Sequence, residues 1–244
     1  MRDQLKNDPR LRFFIGDVRD QIRLRRAMNN VSCVVHAAAL KRIEVGEYNP
    51  TEMIRTNVDG AINVIEAAQD AGVRKVVHLS TDKAFQPISP YGQSKALAEA
   101  LFLAANNTVD RTKITFAVTR YGNVWNSCGS VVPRWRALIE AGAKSVPLTD
   151  PDCTRFFMTV DQAIQLVLHA IRSIGVPTAP FIPELPAYRL GDLAEAMGVK
   201  MDIKGLPSYE KKHEGMDFNL TSDKAPRMTV DELKYHLSVI NEQN

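Results

Sequence analysis

Short apolar runs alternate with amphipathic helical stripes along most of this chain, and that alternation constrains its fold more than any other property of the sequence. Arg12-Phe-Phe-Ile-Gly16, Val31 to Ala39, residues 75–79 and Ile114 to Thr119 read as buried strands. Helical patterns lie between them. One runs from Asp17-Val18 to about Asn29, and a second is opened by the turn and cap Tyr48-Asn49-Pro50-Thr51. The second carries Met53, Ile54, Val58, Ala61, Ile62, Ile65 and Ala68 at helical spacing and stops at Gly72, where a left-handed residue ends a helix cheaply. A third covers residues 94–106. Strands linked one at a time through helices form a parallel, doubly wound α/β sheet.

From about residue 125 the alternation loosens. Ser130-Val-Val-Pro-Arg-Trp135 opens a helix to Ala141, and Pro147 to Phe157 reads as a loop and a short strand. Helix 160–174 is expected to bury Ile164, Val167, Leu168 and Ile171; helix 190–197, strand 200–204 and helix 229–240 follow. The expected division is a main domain over residues 1–130 and, over 131–244, a smaller α/β lobe interleaved with the main domain's last elements. No repeat or low-complexity tract interrupts either part.

With 244 residues and 45% hydrophobic content, the chain can bury one good core. Its 31 basic and 28 acidic residues are mixed, with no basic run interleaved with aromatics, which argues against nucleic-acid binding. Arg19 to Arg26 holds four arginines, but Ile22, Leu24 and Met28 fall at the spacing of an ordinary amphipathic helix. Cys33, Cys128 and Cys153 lack metal-ligand spacing and fit free thiols in a reducing compartment. The five histidines are scattered, so no metal site is expected. No apolar stretch is long enough to cross a bilayer and Met1 to Pro9 has no signal pattern, so the expected location is the cytoplasm, with no membrane partner.

The chemistry-bearing residues concentrate between Ser80 and Lys95. This stretch leaves the apolar run Val76-Val77-His78-Leu79, passes a loop broken by Pro87 and Pro90, and enters a helix. Such loops at the carboxyl ends of parallel strands are where open α/β sheets bind ligands. Tyr91 and Lys95 are four residues apart and share a helix face; a nearby ammonium favours phenolate, so Tyr91 is expected to act as a base near neutral pH. A bare Y-x-x-x-K is usually two exposed helix residues. Here a strand-end Ser/Thr lies ten or eleven residues upstream, at Thr81 and Ser80. Asp82 and Lys83 form an adjacent acid and amine: removing water from a sugar needs a base for a carbon-bound proton and an acid for the leaving hydroxyl. Without those surroundings, a solvated turn-stabilising pair would be the preferred reading.

The Ser/Thr, Tyr91 and Lys95 combination resembles the extended short-chain dehydrogenase/reductases. Phe14-Ile-Gly-Asp-Val-Arg-Asp20, His36-Ala-Ala-Ala-Leu-Lys41, Glu47-Tyr-Asn-Pro50, Leu79-Ser-Thr-Asp-Lys-Ala84, Arg120-Tyr-Gly-Asn-Val124 and Gly129-Ser-Val-Val-Pro133 narrow the resemblance to the inverting UDP-N-acetylglucosamine 4,6-dehydratases of surface-polysaccharide and flagellin-sugar biosynthesis. Thr154-Arg-Phe-Phe157 and Glu210-Lys-Lys-His-Glu214 extend it more weakly. The resemblance implies a Rossmann-like domain binding NADP (or NAD), with Asp17 and Val18 beside the adenine and Ala37, Lys41, Tyr91, Lys95 and Val124 along the ribose and nicotinamide. It implies that Lys41, Ser80, Thr81, Asn123 and Arg155 contact a UDP-sugar and that Thr81, Asp82, Lys83, Tyr91 and Lys95 carry the chemistry. It also implies a homo-oligomer, dimer or hexamer. In those roles Tyr91 takes the C4 hydroxyl proton, Lys83 the C5 proton, and Asp82 protonates the departing C6 hydroxyl.

Three departures stand against simple transfer. None of the 13 glycines builds a G-x-x-G-x-x-G turn, and Met1 to Lys6 looks like the stretch after a second strand, so roughly 30 or more residues forming one strand-helix-strand unit are expected to be missing. Pro207-Ser-Tyr-Glu-Lys211 stands where the family has Arg-Pro-Gly-Glu-Lys, and Asn126-Ser-Cys-Gly-Ser130 where it has Gly-Ser-Arg-Gly-Ser. Two other readings stay open: a nucleotide-sugar 4-epimerase, which would leave Asp82 and Lys83 without a task, and a truncated, inactive binding or assembly remnant.

Overall fold

A computed structural model describes residues 8–242; the segment Met1 to Lys6 lies outside the described residues. Helix α1 (Gln21–Ala27) starts at Asp20, whose carboxylate accepts from the Arg23 N–H at 2.9 Å. Strand β1 (Cys33–His36), short helices α2 (Ile43–Tyr48) and α3 (Pro50–Met53), a π-helical stretch Ile54–Asp59 and helix α4 (Gly60–Asp70) follow, the last three continuous. Then come β2 (Lys75–Leu79), a 3₁₀ turn Asp82–Ala84, α5 (Pro90–Ala105) and β3 (Thr115–Thr119). β1, β2 and β3 form a parallel sheet in that order, with Val76 opposite Phe116 and His36 opposite His78.

The pleat of β2 and β3 divides the core. Val76, Phe116 and Val118 face Ala61, Val64, Ala98 and Phe102 of α4 and α5. Val77 and Ala117 face the other way, against Ala170, Val167 and Ile171 of helix α7 (Val160–Arg172). Helices on both faces of a parallel sheet make this the Rossmann-like α/β fold expected from the sequence.

The remaining elements are β4 (Asn123–Val124), α6 (Val131–Glu140), β5 (Ser145–Leu148), β6 (Thr154–Met158), β7 (Ala187–Arg189), α8 (Leu190–Ala196), β8 (Lys200–Ile203) and α9 (Val230–Glu242). β6 pairs in parallel with β4 and antiparallel with β7, while β5 pairs with β8. Trp135, Val146, Leu148, Phe157, Leu193 and Leu233 form a second core here. α7 packs back on β2 and β3, so the chain returns to the first sheet after contributing to the second.

Residues 12–16 form no strand: Phe13, Phe14 and Ile15 are exposed, Ile15 at 91%. Strand propensity needs a neighbouring ladder to express itself, and among the described residues this run pairs with none. β1 is likewise trimmed to four residues of the expected nine, because β2 supplies its only ladder among the described residues. Ile164 is 48% exposed rather than buried; Ala170, a small residue at the close approach to the sheet, is buried in its stead. α5 begins four residues earlier than expected, since Ser89 caps the Gly92 N–H at 3.1 Å and Pro90 takes the first helical position.

Candidate active site

The carboxyl end of β2 leads directly into the 3₁₀ turn. Ser80 N–H donates to the Thr119 carbonyl at 2.7 Å and Asp82 N–H to the Tyr121 carbonyl at 3.0 Å, so the turn is stitched to the chain leaving β3. Thr81 hydroxyl donates to Asp82 Oδ1 at 3.0 Å and accepts from the Lys83 N–H at 3.4 Å. α5 lies against this turn. A Cβ at Gly92 would stand 2.4 Å from the Lys83 carbonyl oxygen, so only glycine permits the contact.

Lys83 Nζ reaches Asp82 Oδ1 at 3.1 Å, Asn123 Oδ1 at 3.2 Å and Glu214 Oε1 at 3.3 Å. Asp82 is fully buried and Glu214 nearly so. Burial alone would depress the Lys83 ammonium, but Asp82 and Glu214 outweigh it and hold Lys83 above its ordinary value. Asp82 is pushed up, first by burial and then by Glu214, against the pull of Lys83; its Oδ2 has no hydrogen-bond partner. Glu214 goes the other way: burial would raise it, but Lys83, Arg155 and Lys211 together bring it down. Of two neighbouring carboxyls, Asp82 is therefore the one pushed toward its protonated form and Glu214 the one pulled toward its charged form.

Tyr91 stands beside this cluster. Burial pushes its phenol up to about 12, with Lys83 and Thr81 pulling it down and Asp82 pushing it up. This corrects the expectation of a ready phenolate. The cation acting on Tyr91 is Lys83, not Lys95. Lys95 runs inward under β2, where Nζ donates to the Leu79 carbonyl at 2.7 Å and meets His78 Nε2 at 3.1 Å. There burial lowers it to about 8. Helix spacing put Tyr91 and Lys95 on one face, but a lysine's four-carbon stem lets the Leu79 carbonyl decide where the charge goes.

Of the other expected contacts, Asn123 joins the cluster directly. Arg155 is buried, its guanidinium bound to Glu210 and to the Thr154 and Lys212 carbonyls at 2.8 and 3.2 Å, so it shapes the cluster's field with three of its N–H groups already engaged. Ser80 Oγ is buried and unpartnered. Lys41 Nζ donates to the Cys128 carbonyl at 2.8 Å. Ala37 is exposed at the end of β1 and Val124 half-buried on β4. Asp17 is exposed and paired with Arg19 at 2.7 Å, while Val18 packs on α4 beside Gly60. Neither residue reaches the cluster's hydrogen bonds.

Two features went unread in the sequence. Glu214 was visible only as part of the Glu210 to Glu214 run, with no local sign that it would meet Lys83. His36 and His78 carry matching register on adjacent strands and stack with Phe102, rings 5.1 Å apart from each other and 4.6 Å between His78 and Phe102. Burial lowers His36 to about 4 and holds His78 well below its ordinary value, so both are neutral. The cleft at Lys83, lined also by Ile88, Tyr209 and Lys211, is small, about 10 Å³. A larger hollow of about 350 Å³, lined by Phe157, Gln162, Met228 and His236, includes no member of the cluster. Among the described residues no three His, Cys, Asp or Glu side chains gather to hold a metal ion, and no helix is long and apolar enough to cross a membrane.

A family model described as polysaccharide biosynthesis protein matches residues 1–229. A Campylobacter jejuni subsp. jejuni protein, UDP-N-acetylglucosamine 4,6-dehydratase (inverting), is 44% identical over 225 residues, 88% of this chain and 67% of its own length. A UDP-glucose 4-epimerase of Rickettsia akari is 42% identical over 222 residues, 88% of this chain and 64% of its own. Among solved structures, Pen from Bacillus thuringiensis superposes with a TM-score of 0.88 at 31% identity, covering 97% of this chain and 84% of its own. A dTDP-glucose 4,6-dehydratase from Streptomyces venezuelae, solved with NAD bound, gives 0.78 at 23% identity over 98% and 82%.

Proposed function

The chain belongs to the polysaccharide biosynthesis protein family, and from that premise we propose that it carries the catalytic face of a nicotinamide-dependent nucleotide-sugar 4,6-dehydratase acting on UDP-N-acetylglucosamine with inversion at C5. The relatives' names support nucleotide-sugar dehydratase or epimerase chemistry in general. One observation favours dehydration: Asp82 and Lys83, which an epimerase does not need, stand 3.1 Å apart beside Tyr91 in the turn at the end of β2.

The residues present fit the nicotinamide end of a dinucleotide. Ala37 and Ala38 offer an exposed ledge of small side chains at the end of β1, and the buried Ser80 Oγ and Asp82 Oδ2 lack partners at the end of β2. Ala37, Lys41, Tyr91, Lys95 and Val124 would line that end, with Asp17 and Val18 toward the adenine. NADP or NAD held there would supply the hydride acceptor for C4 and the hydride donor for C6.

The side chains then divide the proton traffic. Tyr91 accepts the C4 hydroxyl proton as the phenolate, a form that burial opposes and the Lys83 charge favours, and becomes the phenol. The C4 ketone acidifies C5–H, and Lys83, once it has lost its own proton, removes it. Asp82 gives its proton to the C6 hydroxyl, which leaves as water. Inversion requires the proton that C5 regains to arrive on the face opposite Lys83, while the proton Lys83 took from C5 passes to solvent. Ser80, Thr81, Asn123, Lys41 and Arg155 would orient the nucleotide-sugar, the first three from the cluster itself.

The test is incubation with UDP-N-acetylglucosamine and either cofactor, with calorimetry of cofactor binding run alongside. A 4-keto-6-deoxy product with inverted C5 is the expected result. Return of only a C4 epimer would favour the epimerase reading, which the Rickettsia relative supports. Failure to bind either cofactor would favour an inactive remnant.

A further inference from the structure

We propose that Glu214 is a positioning residue for the Asp82–Lys83 pair: it fixes the Lys83 amine in space and sets the pH range over which the pair can exchange protons. This deepens the dehydratase reading and rests on it.

The geometry is that of a completed tripod. A lysine ammonium has three N–H donors, and Lys83 Nζ has three oxygens around it, from Asp82 at 3.1 Å, Asn123 at 3.2 Å and Glu214 at 3.3 Å. Asp82 comes from the turn after β2 and Asn123 from β4; Glu214 arrives from the segment that follows β8. It is held there independently of Lys83. Its backbone N–H donates to Ser222 Oγ at 2.9 Å, and Ser222 meets Thr154 Oγ1 of β6 at 2.6 Å. Its other oxygen makes no hydrogen bond and lies 3.7 Å from Lys211 Nζ.

The charged and titratable groups acting on Lys83 and Asp82 are Glu214, Arg155, Lys211, Tyr91 and Tyr188. Among them Glu214 is the anion, so it raises the proton affinity of both Lys83 and Asp82. Turnover needs Lys83 without its extra proton and Asp82 with one. Removing the Glu214 charge lowers both affinities, so both limbs of the pH–rate profile move toward acid together. Loss of packing alone would lower the rate at every pH and leave the limbs where they were.

The experiment compares native protein with Glu214→Gln, which keeps shape and an acceptor oxygen but not charge, and with Glu214→Asp. For Glu214→Gln both limbs of the kcat profile for 4-keto-6-deoxy product should shift by about one pH unit to lower pH, with Glu214→Asp nearer native. A depressed profile with unmoved limbs overturns the proposal. A second readout needs no substrate: the carbon-13 Cε resonance of Lys83, identified by its disappearance in Lys83→Arg, should titrate at lower pH in Glu214→Gln than in native protein. An unchanged midpoint also overturns it. If the native protein makes no product but the Lys83 midpoint still moves, the dehydratase reading falls and the Glu214 coupling stands. Should Glu214→Gln fail to fold, Glu214→Asp carries both measurements, a smaller acid shift supporting the proposal and no shift rejecting it.

Discussion

Because Lys83 stands between Asp82 and Glu214, replacing it by alanine leaves two buried carboxyls facing each other. Breaking such a buried pair costs about 3 kcal/mol, so Lys83→Ala should lower urea stability by roughly that amount at neutral pH. On the proposed reading the same variant should bind nucleotide yet fail to incorporate solvent deuterium at C5; detectable incorporation would remove Lys83 from the base's role. Lys95 gives a prediction of opposite character. Its proton affinity falls from 10.5 to about 8 on folding, so the unfolded chain binds the proton more tightly between those two values. Stability should therefore rise with pH through that window, by up to about 3 kcal/mol, and be lowest, as far as Lys95 is concerned, below pH 8. Lys95→Met should flatten that rise in unfolding free energy. An identical slope in both proteins would mean that Lys95 is better solvated than its buried position implies.

The element that matters most is α5, since its first turn sets the height of Tyr91 over the Asp82–Ala84 turn. Gly92→Ala places a methyl 2.4 Å from the Lys83 carbonyl oxygen, a backbone atom that cannot swing aside. The variant should lose about 1–3 kcal/mol in thermal unfolding, and its activity should fall further than the lost stability explains because the turn carrying Lys83 must shift. Ser89 and Pro90 made this start readable in principle: a serine cap followed by proline is a helix opening. Amphipathic spacing alone suggested a later start, as the first turn has no apolar stripe. α4 and β2, by contrast, lie where periodicity placed them, since their apolar faces are continuous and local.

At the scale of the molecule, one parallel sheet sandwiched by helices stands next to a second, smaller core, and protection from exchange should follow that order. β2, paired on both sides and covered by α4, α5 and α7, should hold the slowest amide protons; residues 12–16, without a ladder, the fastest. Slow exchange at Phe13 to Ile15 would show that this run finds a partner after all. Local pattern was enough to determine the strand-helix alternation and the break in the chain after β2, because each depends on neighbours within a turn or a strand. What only tertiary structure decided is which charges meet. Glu214 reaches Lys83 from a distant segment, Lys95 turns toward a carbonyl instead of Tyr91, and residues 12–16 find no ladder among the described residues. Each outcome depends on distances between atoms far apart along the chain, and a one-dimensional pattern does not encode them.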